Sequence, residues 1–285
     1  MGKPKNKKVK KKRPKRPYGL AASADRHDCY QRSVQSPEAD LDFLVERFRE
    51  RNRREPISLR EDFCGTAYLS SVWLAGNPER SALCVDIDSE PLDWGRHHNL
   101  AGALGERARL ECADVRTVTA PPVDLACAMN FSFCVFKRRD ELRDYFRAVH
   151  QGLAEDGVFL CELYGGTEAI VPIEERRTVE DFTFVWEQAK FNPITNETLC
   201  HIHFEFSDGS RMKRAFTYDW RLWSLPEVRE LLESVGFADI DVYWEQVDDE
   251  GDGTGDYLRT TEEENQEGWL VLIVASKQGN RELGE

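Results

Sequence analysis

Five short apolar runs alternate with helical stretches over the first 165 residues, and that rhythm limits the fold more than any other feature of the chain. The runs span 57–63, 82–87, 108–112, 123–130 and 157–163, with helix candidates over 67–75, 90–103 and 139–153. Strands of this length separated by helices cannot pair as hairpins. They build βαβ units, a parallel sheet covered by helices on both faces, with right-handed crossovers. A further helix is expected over 36–50, where SPEADLDFLVERFRE sets Leu41, Leu44, Val45 and Phe48 on one face behind Ser36 or Asp40 as cap.

After Gly166 the rhythm changes. The segments 182–188, 199–206 and 211–218 read as extended strands joined by NPITNE and SDG, both good turn chemistry, which predicts an antiparallel insertion. A helix over 225–234 stopped by Gly236, a strand over 240–244, an acidic Gly-rich loop over 246–266 and a strand over 269–275 complete the pattern. The tract beginning at Asp248 puts Gly253 where a calcium loop needs it, but Arg259 stands where that loop needs Glu, so a solvated loop is expected.

Charge is divided unevenly. Residues 3–16 hold eight Lys and two Arg with no acid. Setting those ten aside leaves 29 basic against 52 acidic residues, a net −23. Such a tail, over about 1–20, reads as disordered and suited to nucleic acid or an acidic protein. No apolar run is long enough to span a bilayer and no signal peptide is visible, so no membrane association is expected. The eight cysteines are scattered without a CxxC pair, which argues against structural zinc and for a reducing compartment, the cytoplasm.

A nucleotide-type ligand binds at the carboxyl ends of parallel strands. Here the first strand ends in Arg60, Glu61, Asp62, Phe63, Cys64, Gly65 and Thr66. Gly65 permits close backbone approach, and three charges on a buried strand need partners. The second strand ends in Asp86 and Ile87, and a carboxylate about 20 residues beyond a glycine turn suits the two hydroxyls of a ribose. The third ends in Asp114 and Val115, where a carboxylate suits an adenine amino group. The fourth brings Asn130 and Phe131 to the same rim.

These four strand ends carry a resemblance. EDFCGTA resembles the first motif of the class I S-adenosylmethionine-dependent methyltransferases, VDID their ribose-binding turn, CADV their adenine-binding turn and MNFSF their fourth motif. The resemblance covers about 35–165, with a family-like ending in DWRLWSLPEVRELLESVGF. It implies a Rossmann-like seven-stranded sheet in the order 3-2-1-4-5-7-6. It also implies S-adenosyl-L-methionine held by Glu61, Cys64, Gly65, Thr66, Asp86, Ile87, Asp114, Val115, Asn130 and Phe131, and transfer of its methyl group to an acceptor. Phe63 and Ala67 stand where the family's first motif usually has glycine. A nicotinamide dehydrogenase is disfavoured, because GxGxxG is missing.

On this reading the chain divides into a tail over 1–20, a cofactor-binding core over 21–166, an insertion over 167–223 serving as substrate wall or lid, and the remainder of the core over 224–285. Candidates near the chemistry are Asn130, Tyr164 and His201, the last with His203 on one strand face; each histidine also reads as an ordinary strand residue. Tyr30 and Gln35 are placed to lie over the cofactor. Aromatic residues of the insertion, among them Phe184, Trp186, Trp220 and Trp223, are expected to form its own core or an apolar pocket. Arg211, Lys213 and Arg214 make only a small basic patch. The expected acceptor is a small molecule, ahead of RNA or protein recruited by the tail. Outside enzymes the alternatives are a non-catalytic module that keeps the cleft and a nucleic-acid-binding protein in which the tail carries the function.

Overall fold

The structure is a computed structural model that describes residues 19–248 and 253–279. The basic segment 3–16 lies outside the described residues. Three helices come first: α1 (Leu20–Ser23), α2 (Arg26–Val34) and α3 (Pro37–Asn52). The alternating part follows as β1 (Ser58–Asp62), α4 (Tyr68–Ala75), β2 (Ser81–Asp86), α5 (Ser89–His98), β3 (Ala108–Cys112), β4 (Val123–Ala128), α6 (Arg139–Gly152) and β5 (Leu153–Gly165). Four strands come next, β6 (Ile173–Val179), β7 (Phe182–Asn192), β8 (Glu197–Phe206) and β9 (Arg211–Arg221). The chain closes with α7 (Leu225–Val235), β10 (Asp239–Val247), β11 (Gly253–Thr260) and β12 (Trp269–Ser276).

The main sheet runs β11-β10-β12-β5-β4-β1-β2-β3. Strands β1 to β5 pair in parallel, while β12 runs antiparallel between β5 and β10. Counted without β11, this is the expected seven-strand order. The eighth strand is a correction: much of the stretch expected as an acidic loop over 246–266 pairs with β10 as an antiparallel edge strand. GTGDYLRT is mostly exposed and carries two glycines, so it shows none of the apolar alternation by which strands are read.

Local chemistry sets the boundaries. Pro37 and the acids Glu38 and Asp40 open α3. Ser224 and Glu227 form a reciprocal capping box at α7, which Gly236 ends at φ 111°. One face of the sheet packs on α6 and α7 through Phe146, Phe159, Leu231 and Trp223. The other packs on α3 and α4 through Phe48, Trp73, Leu74 and Leu125. Each such side chain, fully removed from water, stabilises the fold by roughly 1.5–3 kcal/mol before the entropy of ordering is subtracted.

The second sheet, β6-β7-β8-β9, is antiparallel throughout. Strand β6 (IEERRTV) escapes sequence reading because its middle five residues are exposed and four of them are charged. The sheet is fastened to the loops at the carboxyl edge of the main sheet: Lys137 Nζ donates to Asp219 at 2.6 Å, and the Trp223 indole N–H to the Phe136 carbonyl at 3.0 Å. Helix α2 bridges the two sheets. Its Arg32 pairs with Glu180 and Asp181 beside the second sheet, while His27 and Arg26 meet Glu90 of α5.

Candidate active site

The turn after β1 is the centre of the site. Phe63, Gly65 and Ala67 all adopt positive φ, at 56°, 52° and 53°. Only Gly65 does so without steric cost, and the space where a Cβ would stand is open. The turn's backbone therefore faces a void at the edge of the sheet. Thr66 anchors it: the threonine hydroxyl accepts from Gln31 Nε2 at 2.7 Å, and the carbonyl from Asn99 Nδ2 at 2.8 Å. Gly95 lets α5 lie against the turn, since a Cβ there would stand 2.1 Å from the Thr66 carbonyl oxygen.

Asp86 ends β2 beside that turn. Its Oδ2 accepts the N–H of Gly65 at 2.8 Å, and its Oδ1 the N–H of Asp88 at 2.9 Å. Burial raises its pKa above the usual carboxylate range, while those two donors pull it back. Each oxygen retains a lone pair, so the carboxylate can accept two further hydrogen bonds. Its neighbour Ile87 is 74% exposed, a large apolar side chain uncovered next to a carboxylate. These features fit S-adenosylmethionine: acceptors for vicinal hydroxyls, an apolar surface for a purine and open backbone before Gly65.

The three charges of β1 have partners inside the fold. Arg60 donates to Asp62 at 2.8 Å and to the Val115 carbonyl at 2.6 Å, and the Tyr145 hydroxyl donates to Asp62 at 3.1 Å. Glu61 accepts from Ser70 in the first turn of α4, closing a helix end that Ala67 cannot cap. These residues hold the strand ends in register. Cys64 is buried, and its N–H donates to the Val85 carbonyl at 3.0 Å.

Asp114 is turned onto its own loop. It accepts the Arg116 backbone N–H at 2.9 Å and both Nε and Nη2 of that guanidinium, which lowers its pKa. An adenine amino group would share Asp114 with Arg116, a competitor not anticipated in the sequence. Asn130 and Phe131 both adopt left-handed backbone, φ 55° and 56°, and the Asn130 N–H donates to Glu162 of β5.

Beyond Asn130 and Phe131 lies a cavity of about 500 Å³ between the carboxyl edge of the main sheet, α2 and the second sheet. Tyr164, Trp186, Tyr218, Trp220 and Trp269 line it. The Tyr164 hydroxyl is buried there without a hydrogen-bond partner among the described residues. The insertion aromatics divide: Phe184, Trp186 and Trp220 line the cavity, Phe182, Phe204 and Phe206 form a small core with α1 and α2, and Trp223 belongs to the main core.

Two sequence expectations need correction. His201 is set apart from the cavity, because Ile202 lines it and neighbouring strand residues face opposite ways. The His201 ring pairs with Thr217 at 2.9 Å. His203 accepts the Arg214 N–H at Nδ1, 2.7 Å away, which leaves the proton on Nε2 facing Glu187 at 2.8 Å. Tyr30, expected to lie over the cofactor, sits within α2, a helix not anticipated, and lines the cavity instead. Glu162 and Gln31 were missed. Glu162 carried the same signal as the charges of β1, an acid inside an apolar strand that must find a partner, whereas a Gln on a polar helix carries none.

No family model and no curated relative matches the chain. Solved structures do match. A S-adenosylmethionine-dependent methyltransferase from Clostridium acetobutylicum is 18% identical, with TM-score 0.66 over 89% of this chain and 98% of that one. CalS10, an amino pentose methyltransferase from Micromonospora echinaspora solved with its cofactor, is 15% identical, with TM-score 0.63 over 88% and 96%. The sugar N-methyltransferase KedS8 from Streptoalloteichus is 16% identical, with TM-score 0.61 over 92% and 96%. The chain thus has the Rossmann-like fold of S-adenosylmethionine-dependent methyltransferases, along nearly its whole length and theirs.

Proposed function

We propose that this protein is a S-adenosylmethionine-dependent methyltransferase acting on a small molecule. The reading is supported by two features of one sheet edge: the Gly65 turn, open where a Cβ would stand, with Asp86 and the exposed Ile87 beside it, and the aromatic cavity bordered by Asn130 and Phe131 under the second sheet. Asp86 would hold the ribose hydroxyls, Ile87 and Val115 the adenine, Asp114 its amino group, and the 63–66 turn the methionine part. The cofactor supplies an electrophilic methyl group on a sulfonium. Residues 167–223 act as the acceptor's wall, and Asn130 and Tyr164 are the polar groups placed to orient it. Acceleration then comes mainly from positioning and from exclusion of water.

Size favours a small acceptor. A volume of about 500 Å³ falls in the range of roughly 300–1,000 Å³ that small-molecule sites occupy. The neighbours named for an amino pentose and for sugar N-methylation support the same class. Among the described residues no helix is long and apolar enough to cross a membrane. All eight cysteines are free thiols, which supports a cytoplasmic setting. The run of Lys and Arg over 3–16 favours a second reading, in which the tail recruits RNA or an acidic protein as acceptor.

The test is to incubate the purified chain with methyl-labelled cofactor and fractionated cell extract. Label in the small-molecule fraction is expected. Label confined to RNA or protein, and lost when residues 1–16 are deleted, would overturn the small-molecule reading.

A further inference from the structure

The acceptor cavity is electrostatically one-sided. Glu162, Glu168, Glu175 and Glu245 line it, against a single guanidinium, Arg177. That guanidinium is engaged: it donates to the Ser33 carbonyl and lies 5.6 Å from the centre of the Phe184 ring. The remaining wall is aromatic. Trp220 stacks on Tyr218 with ring centres 4.4 Å apart and lies 6.1 Å from Trp186, and Tyr164 packs on Phe131 at 4.8 Å. Aromatic faces beside carboxylates form a cation-selective surface, because the ring quadrupole and the ionised acid attract the same charge.

Glu162 is the innermost of these acids. It projects from β5 beside Asn130 and lines the cavity. Besides the Asn130 N–H it has no hydrogen-bond donor among the described residues. The Tyr164 hydroxyl, two residues along the same strand, is the unpartnered polar group already described. A carboxylate and a lone hydroxyl thus lie in an aromatic enclosure, next to the loop that would border the reacting methyl group.

We propose that the acceptor is a small primary or secondary amine that enters as its ammonium ion, held between Glu162 and the aromatic wall formed by Trp186, Tyr218 and Trp220. The inference rests on the proposed methyltransferase function and names its substrate class. The ammonium loses one N–H proton to the Glu162 carboxylate and becomes a neutral amine. The nitrogen lone pair then forms the new N–C bond, while the methyl carbon's bond to sulfur breaks and leaves its electron pair on sulfur. The product is a methylated ammonium, and Glu162 returns its proton to solvent as the product leaves. Burial, with Asp40 and Glu245 nearby and opposed by the Asn130 N–H, raises the Glu162 pKa to about 8 in the empty site; the entering ammonium, an opposite charge beside it, favours the ionised carboxylate that then takes the proton.

The tryptophans of the wall provide a readout that needs no turnover. Tryptophan fluorescence of the full chain is titrated with phenethylammonium, 2-phenylethanol and 3-phenylpropionate, three probes of similar size and different charge. The same titrations are repeated with S-adenosylhomocysteine present. Saturable quenching by the ammonium is expected, roughly tenfold or more tighter than by the alcohol and absent with the carboxylate. Glu162→Gln, which keeps an acceptor for the Asn130 N–H, should weaken the ammonium about tenfold and leave the alcohol unchanged. Glu245→Gln should act in the same direction less strongly. Equal binding of alcohol and ammonium, tighter binding of the carboxylate, or indifference of both variants would overturn the proposal. Because the first series of titrations is read without cofactor, failure of S-adenosylhomocysteine to bind would count against the methyltransferase reading and not against the cation site.

Discussion

Ser70, in the first turn of α4, donates its backbone N–H at 2.9 Å, and its hydroxyl as well, to the carboxyl of Glu61 near the end of β1. A strand residue thereby caps the helix that follows the glycine turn, and the turn is fixed at both ends. Burial, together with nearby Asp86 and Asp40, lifts the Glu61 pKa to about 7 against the two Ser70 bonds.

That pKa gives a signed expectation. A carboxyl whose folded pKa lies above its unfolded value binds its proton more tightly in the folded state. Its contribution is therefore fully present below the unfolded value of 4.5 and is lost as pH rises through about 7. Glu61→Gln should remove this term, so urea unfolding should show wild type losing ~2–3 kcal/mol more than the variant between pH 5 and 8. Parallel losses in the two proteins would show that Glu61 does not titrate in that window.

The Arg60–Asp62 pair is buried on both sides and shares Asp62 with Tyr145. Asp62→Ala leaves a guanidinium unpaired in the core and should cost about 3–5 kcal/mol in urea unfolding. Tyr145→Phe removes one hydrogen bond and should cost about 1 kcal/mol. Similar costs for the two variants would mean the ion pair is not what holds β1.

Gly95→Ala should damage the turn it faces. The added carbon would meet the Thr66 carbonyl, a backbone atom that cannot swing aside, so α5 must move away from the turn. Affinity for S-adenosylhomocysteine should fall by about tenfold or more, an overpacking cost of roughly 1–3 kcal/mol. Undiminished affinity would place the cofactor elsewhere than beside Thr66.

His201 faces away from the cavity, so His201→Gln should leave methyl transfer to any identified acceptor within about twofold of wild type. Loss of transfer with stability intact would restore the histidine to the chemistry.

The sequence made some of this legible and hid the rest, for physical reasons. The order of the parallel strands follows from apolar runs of fixed spacing, and the rim residues Gly65, Asp86 and Asn130 from where those runs stop. Strands β6 and β11 were invisible because neither buries a face, and periodicity reports burial. Helix α2 was missed for a related reason: RHDCYQRSV is polar overall, and its few buried residues, His27, Cys29 and Ser33, are of types that usually look neutral. Two of the contacts at these charges are long-range, with Val115 55 residues from Arg60 and Asn130 32 residues from Glu162. No local pattern encodes such contacts.

The central claim is that the edge formed by Gly65, Asp86 and Ile87 holds S-adenosylmethionine. Isothermal calorimetry of the full chain with S-adenosylhomocysteine measures it directly, in wild type and in Asp86→Ala. The expected result is stoichiometric binding to wild type, weakened in the variant by about 2 kcal/mol through loss of hydrogen bonds to a charged acceptor. No heat of binding with wild type, or equal affinity in a folded Asp86→Ala protein, would contradict the claim.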